Sequence, residues 1–189
     1  MPDACLGTRL LGLARNAIAR ELAAPVRPLP AEDRDDDQVL DAPGATFVTL
    51  TLDGELRGCI GSLEAWRPLR LDVAENGLAA AFRDPRFPPL SRQEFDAVRV
   101  EVSLLEPAQA MAFRDEEDAL AQLEPGVDGL ILTCGPRRST FLPQVWESLP
   151  EPRQFLSQLK RKAGFAGDFW SPQVELARYR VEKWKEPQS

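Results

Sequence analysis

Along residues 5–24 the apolar positions Leu6, Leu10, Leu13, Ala14, Ala17, Ile18 and Leu22 recur at the helical interval, with basic residues between them. This predicts an amphipathic helix, ended by Pro25, Pro28 and Pro30. Residues 31–44 are acidic and turn-rich and read as a mobile surface loop. The period then changes to two. Thr46 to Leu52 and Glu55 to Leu63 are strand-like runs joined by Asp53-Gly54, a dipeptide that accepts the positive φ of a tight hairpin turn. Pro68 suits a first helical position, and Leu69, Leu71, Val73, Leu78, Ala79 and Phe82 carry a helix to Arg83, with Gly77 as a weak spot or a close-packing point.

After the proline-rich stretch 84–90, Ser91 and Glu94 form a capping-box pattern for a short helical turn. Val98 to Glu106 alternates as a strand. Residues 115–123 read as an acidic helix and Gly129 to Thr133 as a buried strand, with Thr140-Phe141-Leu142 as its hairpin partner. Residues 153–163 read as a basic helix stopped by Gly164, and 174–184 as a last strand. Helices and strands interleave without regular βαβ spacing. The expected class is α+β, with a mainly antiparallel or mixed sheet flanked by helices. The length of 189 residues fits a single domain over 1–189: the helix 5–24, the acidic loop 31–44 and a core from 45 to 186.

Charge and composition narrow the function. A net charge of −7 argues against nucleic-acid binding, which usually needs a basic face. The basic cluster Arg153, Lys160, Arg161 and Lys162 reads as the solvated face of a helix near its C-terminus. No apolar run is long enough to span a membrane, and the N-terminus lacks a basic n-region, so neither a membrane segment nor a secretory signal is expected. The cysteines Cys5, Cys59 and Cys134 match no disulfide or zinc spacing, which fits a reducing cytoplasm. The acidic run at 33–37 lacks the glycine and the closing glutamate of a calcium loop. With 0 histidines, Ser-His-Asp and Cys-His catalysis and histidine metal sites are excluded within the chain. Phosphate-binding loops, CxxC and GxSxG are likewise missing. No cofactor or metal is implied.

Four local features could carry chemistry. In Arg57-Gly58-Cys59-Ile60-Gly61, strict alternation puts Arg57, Cys59 and Gly61 on one face. A guanidinium near a thiol favours the thiolate, the nucleophilic or ligating form, whereas a free cysteine in a strand is as often a small buried hydrophobe. The flanking glycines leave room beside the strand. Asp84-Pro85-Arg86-Phe87 presents two charges on a stiff loop, or a structural ion pair. Gln144 offers a donor and an acceptor in an apolar stretch, or marks a turn. Lys162 stands in the last turn before Gly164, where the helix dipole alone would suit it.

Leu56-Arg57-Gly58-Cys59-Ile60-Gly61, preceded by Phe47-Val48-Thr49-Leu50, resembles the motif of the AMMECR family, also called AmmeMemoRadiSam system protein A. Pro68-Leu69, Asn76, Ala80-Ala81-Phe82, Asp84-Pro85-Arg86-Phe87, Pro89-Leu90, Glu101-Val102-Ser103-Leu104-Leu105, Gly129-Leu130, Leu142-Pro143-Gln144-Val145 and Lys162-Ala163-Gly164 follow in family order. Trp146-Glu147-Ser148 departs from the family pattern and reads as local repacking. The resemblance implies a smaller subdomain, a cleft beside the LRGCIG strand, and work beside a Memo-type protein and a radical S-adenosylmethionine enzyme.

The expectation is a cytoplasmic enzyme or enzyme component that binds a small anionic metabolite. Cys59, Asp84 and Lys162 are the candidate catalytic groups, and Arg57, Gly58, Gly61, Arg86, Glu101 and Gln144 the candidate substrate contacts. The alternative is a non-catalytic scaffold that docks onto the same partners.

Overall fold

Asp53 and Gly54 both take positive φ, at 52° and 85°, and so close the predicted hairpin between β1 (Pro43–Leu52) and β2 (Glu55–Gly61). In the computed structural model, which describes residues 4–30 and 34–187, this hairpin belongs to the first of two compact units. That unit comprises Met1–Leu105 with Glu182–Ser189, and the second comprises Glu106–Val181.

The first unit holds α1 (Ala4–Glu21), α2 (Arg34–Asp41), β1, β2, β3 (Arg67–Pro68), α3 (Leu69–Phe82) and β4 (Arg99–Leu105). A last strand, numbered β9 (Val181–Lys185), completes its sheet, in which β2, β1, β4 and β9 lie side by side and β3 pairs with β1. β1 is antiparallel to both β2 and β4. Leu10, Ala14 and Ile18 of α1 and Val73 and Ala80 of α3 pack on Val48, Leu50, Val100 and Val102 of the sheet. Even-numbered β1 positions therefore face the helices, and Phe47, Thr49 and Thr51 face the other way. Gly77 lets α3 approach α1 closely: a Cβ there would stand 3.2 Å from the Ala14 carbonyl oxygen. Buried Asp72 of α3 ties helix to sheet, accepting from the Thr46 N–H at 2.8 Å, the Thr46 and Ser62 hydroxyls, Arg67 Nε and Asn76 Nδ2.

The second unit holds β5 (Gln109–Ala110), α4 (Glu116–Ala121), β6 (Gly129–Cys134), β7 (Arg137–Phe141), a 3-10 turn (Pro143–Glu147), α5 (Pro152–Lys162) and β8 (Glu175–Tyr179). Its sheet runs β5-β8-β6-β7, antiparallel throughout. Asp115 caps α4 by accepting the Asp118 N–H at 2.8 Å. Buried Trp146 stacks on Phe155 at 3.8 Å between ring centroids, so the departure at 146–148 supplies a core residue.

The helices, the hairpin and the α+β class agree with the sequence reading, and three elements differ. Residues 34–41 form a helix rather than part of a mobile loop; Arg9 and Arg70 both reach Asp37 on it. The strand read over 174–184 breaks at Arg180, and its halves enter different sheets. Ser91 and Glu94 form the capping box, but turns follow it and no helix.

Candidate functional site

A two-residue turn at 53–54 sets Leu52 opposite Glu55, and an unbroken ladder from there would put Cys59 opposite core-facing Val48. The ladder is broken. Leu50 pairs with Gly58 but Thr51 pairs with Leu56, so Arg57 has no partner on β1 and forms a bulge. That single extra residue places Cys59 opposite Thr49, on the face away from α1 and α3.

Thr49 pairs on its other side with Glu101 of β4. A row Cys59–Thr49–Glu101 thus crosses the sheet, with neighbouring Cβ atoms roughly 4.5–5.5 Å apart. The Thr49 hydroxyl donates to Cys59 Sγ at 3.3 Å, and Glu101 pairs with Lys185 at 3.6 Å. All three residues of the row are half-buried. Thr49 and Lys185 were not singled out from the sequence. The signal for Thr49 is the hairpin register, which reads correctly only once the bulge is known.

The bulge also moves Arg57 away from the thiol. Its guanidinium forks onto Glu94, with Nε at 2.9 Å and Nη2 at 3.2 Å, while Nη2 reaches the Pro89 carbonyl and the group lies over the Phe87 ring. Only 8% of Arg57 is exposed. The Arg57 guanidinium, followed by the Ser91 N–H, holds the Glu94 carboxyl down at about 2. The expectation that Arg57 flanks Cys59 on one face is corrected: Arg57 braces the loop 87–94.

The cation beside Cys59 is Arg86. β2 is an edge strand, and edge strands present unpaired N–H and C=O groups. Asp84 Oδ2 accepts the outward Cys59 N–H at 2.9 Å, and Arg86 Nη2 donates to the Cys59 carbonyl at 3.3 Å. Asp84 and Arg86 are joined by a fork, Nη2 to Oδ2 at 2.7 Å and Nε to Oδ1 at 3.0 Å, and Asp84 also accepts the Arg86 N–H. Buried Asp84 is consequently held far below the usual carboxylate range, by the Arg86 side chain first and then by the Cys59 and Arg86 N–H groups, against its own burial. The Arg86 side chain stays 53% exposed, so its outer N–H groups reach solvent.

The two glycines of the motif are filled by the protein. A Cβ on Gly58 would lie 2.1 Å from the Ala80 carbonyl oxygen of α3, and one on Gly61 would lie 2.2 Å from Cγ of Phe47. Gly58 lets a helix backbone approach the strand. Gly61 seats the Phe47 ring on the face that carries Cys59. Lys162 and Gln144 lie in the second unit. The Lys162 ammonium donates to the Thr140 carbonyl at 2.9 Å and sits over the Phe141 ring, and Gln144 is exposed on the 3-10 turn. Among the described residues, no group of three or more His, Cys, Asp or Glu side chains could hold a metal ion, and no helix is long and apolar enough to cross a membrane.

Fold and site define an α+β protein with a clamped edge strand that carries a half-exposed thiol. The chain belongs to the AMMECR1 family, whose profile matches residues 11–184. A protein of Methanothermobacter thermautotrophicus is 35% identical over 186 residues, covering 95% of this chain and 94% of that one. One from Thermotoga maritima is 37% identical over 151 residues, covering 79% of this chain and 82% of that protein. The crystal structure of the uncharacterized protein PH0010 from Pyrococcus horikoshii superposes with a TM-score of 0.77 at 31% identity, over 96% of this chain and 91% of that one.

Proposed function

We propose that this AMMECR1-family protein binds a small anionic metabolite beside β2, on the face that carries Cys59, as an enzyme or a component of one. One observation supports this above the others. Arg86 is fixed by Asp84 and by the Cys59 carbonyl, yet half of it remains exposed next to a thiol that already accepts the Thr49 hydroxyl. A preorganised guanidinium gives carboxylate or phosphate a docking point with little ordering cost. Cys59 is then the nucleophile or soft ligand, and Glu101, one strand beyond Thr49, the acid or base in a chain without histidine. Asp84 positions Arg86, while Gly58, Gly61 and Arg57 build the strand and its brace.

The family resemblance adds a Memo-type protein and a radical S-adenosylmethionine enzyme as partners, and the unpaired cysteine spacing favours the cytoplasm as the compartment. Calorimetric titration of the parent, Cys59→Ala and Arg86→Ala against a panel of small carboxylates and phosphate monoesters tests the reading. At least one compound should bind the parent and lose affinity in both variants. Variants that fold and bind every compound as well as the parent would remove it.

A non-catalytic docking role has one observation in its favour. Trp66 is 71% exposed, and Leu63 and Leu71, also exposed, belong to the same unit. A complex with either partner that survives Cys59→Ala but is lost with Trp66→Asp would support docking over catalysis.

A further inference from the structure

We infer that the second unit carries a separate binding pocket for a zwitterion of the amino-acid or dipeptide type. This inference is independent of the Cys59 site. The cavity has a volume of about 720 Å³ and is lined by Glu116, Arg153, Ser157, Arg161, Phe165 and Asp168, among others. Arg153, Ser157 and Arg161 recur every four residues, so they form one stripe along α5. The loop after α5 and the first turn of α4 make the opposite wall.

Two of the charges there are already committed. Glu116 is held by Lys160, which is 1% exposed, lies over the Trp170 ring and so fixes that carboxylate from behind. Arg153 pairs with Glu117. Arg161 and Asp168 are left, one cation and one anion lining the same cavity, and neither makes a side-chain hydrogen bond or ion pair. A molecule carrying both charges satisfies both residues, whereas a simple anion satisfies only Arg161.

The carboxylate end is the unpaired guanidinium of Arg161, which lines the cavity. Gly167 packs against Ser157 Oγ and Arg161 Nε, where a Cβ would stand 2.4 Å and 2.9 Å away, so glycine lets the loop close on both side chains. A carboxylate in the cavity takes the Arg161 N–H groups that face it. The ammonium end has Asp168 and the Glu116 carboxylate. The Phe165 ring lines the wall between and suits an apolar or aromatic side chain. The volume exceeds that of a single amino acid, which admits a dipeptide.

The probes are L-phenylalanine, glycyl-L-phenylalanine, N-acetyl-L-phenylalanine (no ammonium), L-phenylalaninamide (no carboxylate) and inorganic phosphate, followed by calorimetry on the full chain. Arg161 and Asp168 are both exposed, so Arg161→Gln and Asp168→Asn should fold, and circular dichroism checks that. L-phenylalanine or the dipeptide should bind, and each blocked derivative should bind about tenfold more weakly or worse. Arg161→Gln should weaken L-phenylalanine by about tenfold but leave phenylalaninamide unchanged, because that ligand has no carboxylate to lose. Asp168→Asn should do the converse with N-acetyl-phenylalanine. No binding of either free ligand at roughly 10 mM, equal binding of the blocked derivatives, or phosphate binding that depends on Arg161 alone would each overturn the inference.

Discussion

One carboxylate oxygen of Asp84 takes both the Cys59 backbone N–H, at 2.9 Å, and the Arg86 guanidinium, at 2.7 Å. Arg86 returns to the Cys59 carbonyl, so both outward polar groups of Cys59 are closed by a two-residue clamp from a proline-stiffened loop. Sheet-edge protection and cation placement are therefore one structure. Asp84→Asn keeps the shape and removes the charge. It should destabilise the protein by about 2–3 kcal/mol, since the Cys59 N–H and the guanidinium lose a charged acceptor. Urea denaturation of parent and variant measures this.

Glu94 gives the pH dependence a sign. Its carboxyl is lowered from 4.5 to about 2 in the folded chain. The charged form is therefore stabilised by folding, fully so above the unfolded value, and that stability is lost as pH falls from about 4.5 towards 2. Asp84 is shifted in the same direction and adds to the loss. Denaturation midpoints measured across that window should fall steeply for the parent and less steeply for Glu94→Gln.

The glycine contacts rank two substitutions. Gly58→Ala drives a Cβ against the Ala80 carbonyl of the α3 backbone, which cannot move without the helix. Gly61→Ala meets the Phe47 ring, a half-buried side chain able to turn aside. Gly58→Ala should cost about 3 kcal/mol or more, and Gly61→Ala less. Chemical denaturation of both decides; a reversed order would mean that helix α3 is not seated on this strand as described.

The pair between buried Lys160 and half-buried Glu116 makes a further prediction. Lys160→Ala leaves the Glu116 carboxylate without its cation and should cost about 2–3 kcal/mol, whereas Lys160→Met with Glu116→Gln, which removes both charges at similar volume, should recover most of it. A double-mutant cycle by thermal denaturation gives the coupling.

The sequence carried the helices, the Asp53-Gly54 turn and most strands, because each is written in local periodicity or turn chemistry. It also marked the stretch 57–61. It did not carry the bulge at Arg57, since nothing in residue type shows where a ladder skips one residue. That one residue decides which side chains face Cys59: strict alternation offers Val48 and Arg57, and the bulge replaces them with Thr49 and Arg86. The basic patch read on α5 splits for a similar reason. Lys160 turns inward to Glu116 and Trp170, while Arg161 and Lys162 stay exposed, because helix phase relative to the core is a tertiary property. The room implied by Gly58 and Gly61 is real, and a helix carbonyl and a phenylalanine ring occupy it.

The reading of Cys59 as a reactive group in a ligand site is tested most directly by its alkylation rate under native conditions, with Cys5 removed and buried Cys134 as the unreactive internal reference. Iodoacetamide should modify Cys59 in the folded protein, Thr49→Val should change that rate a few-fold through loss of the hydroxyl on sulfur, and an anion that binds Arg86 should protect the thiol in the parent but not in Arg86→Ala. Alkylation of Cys59 only on unfolding, or at a rate that no carboxylate or phosphate monoester alters, would contradict the account.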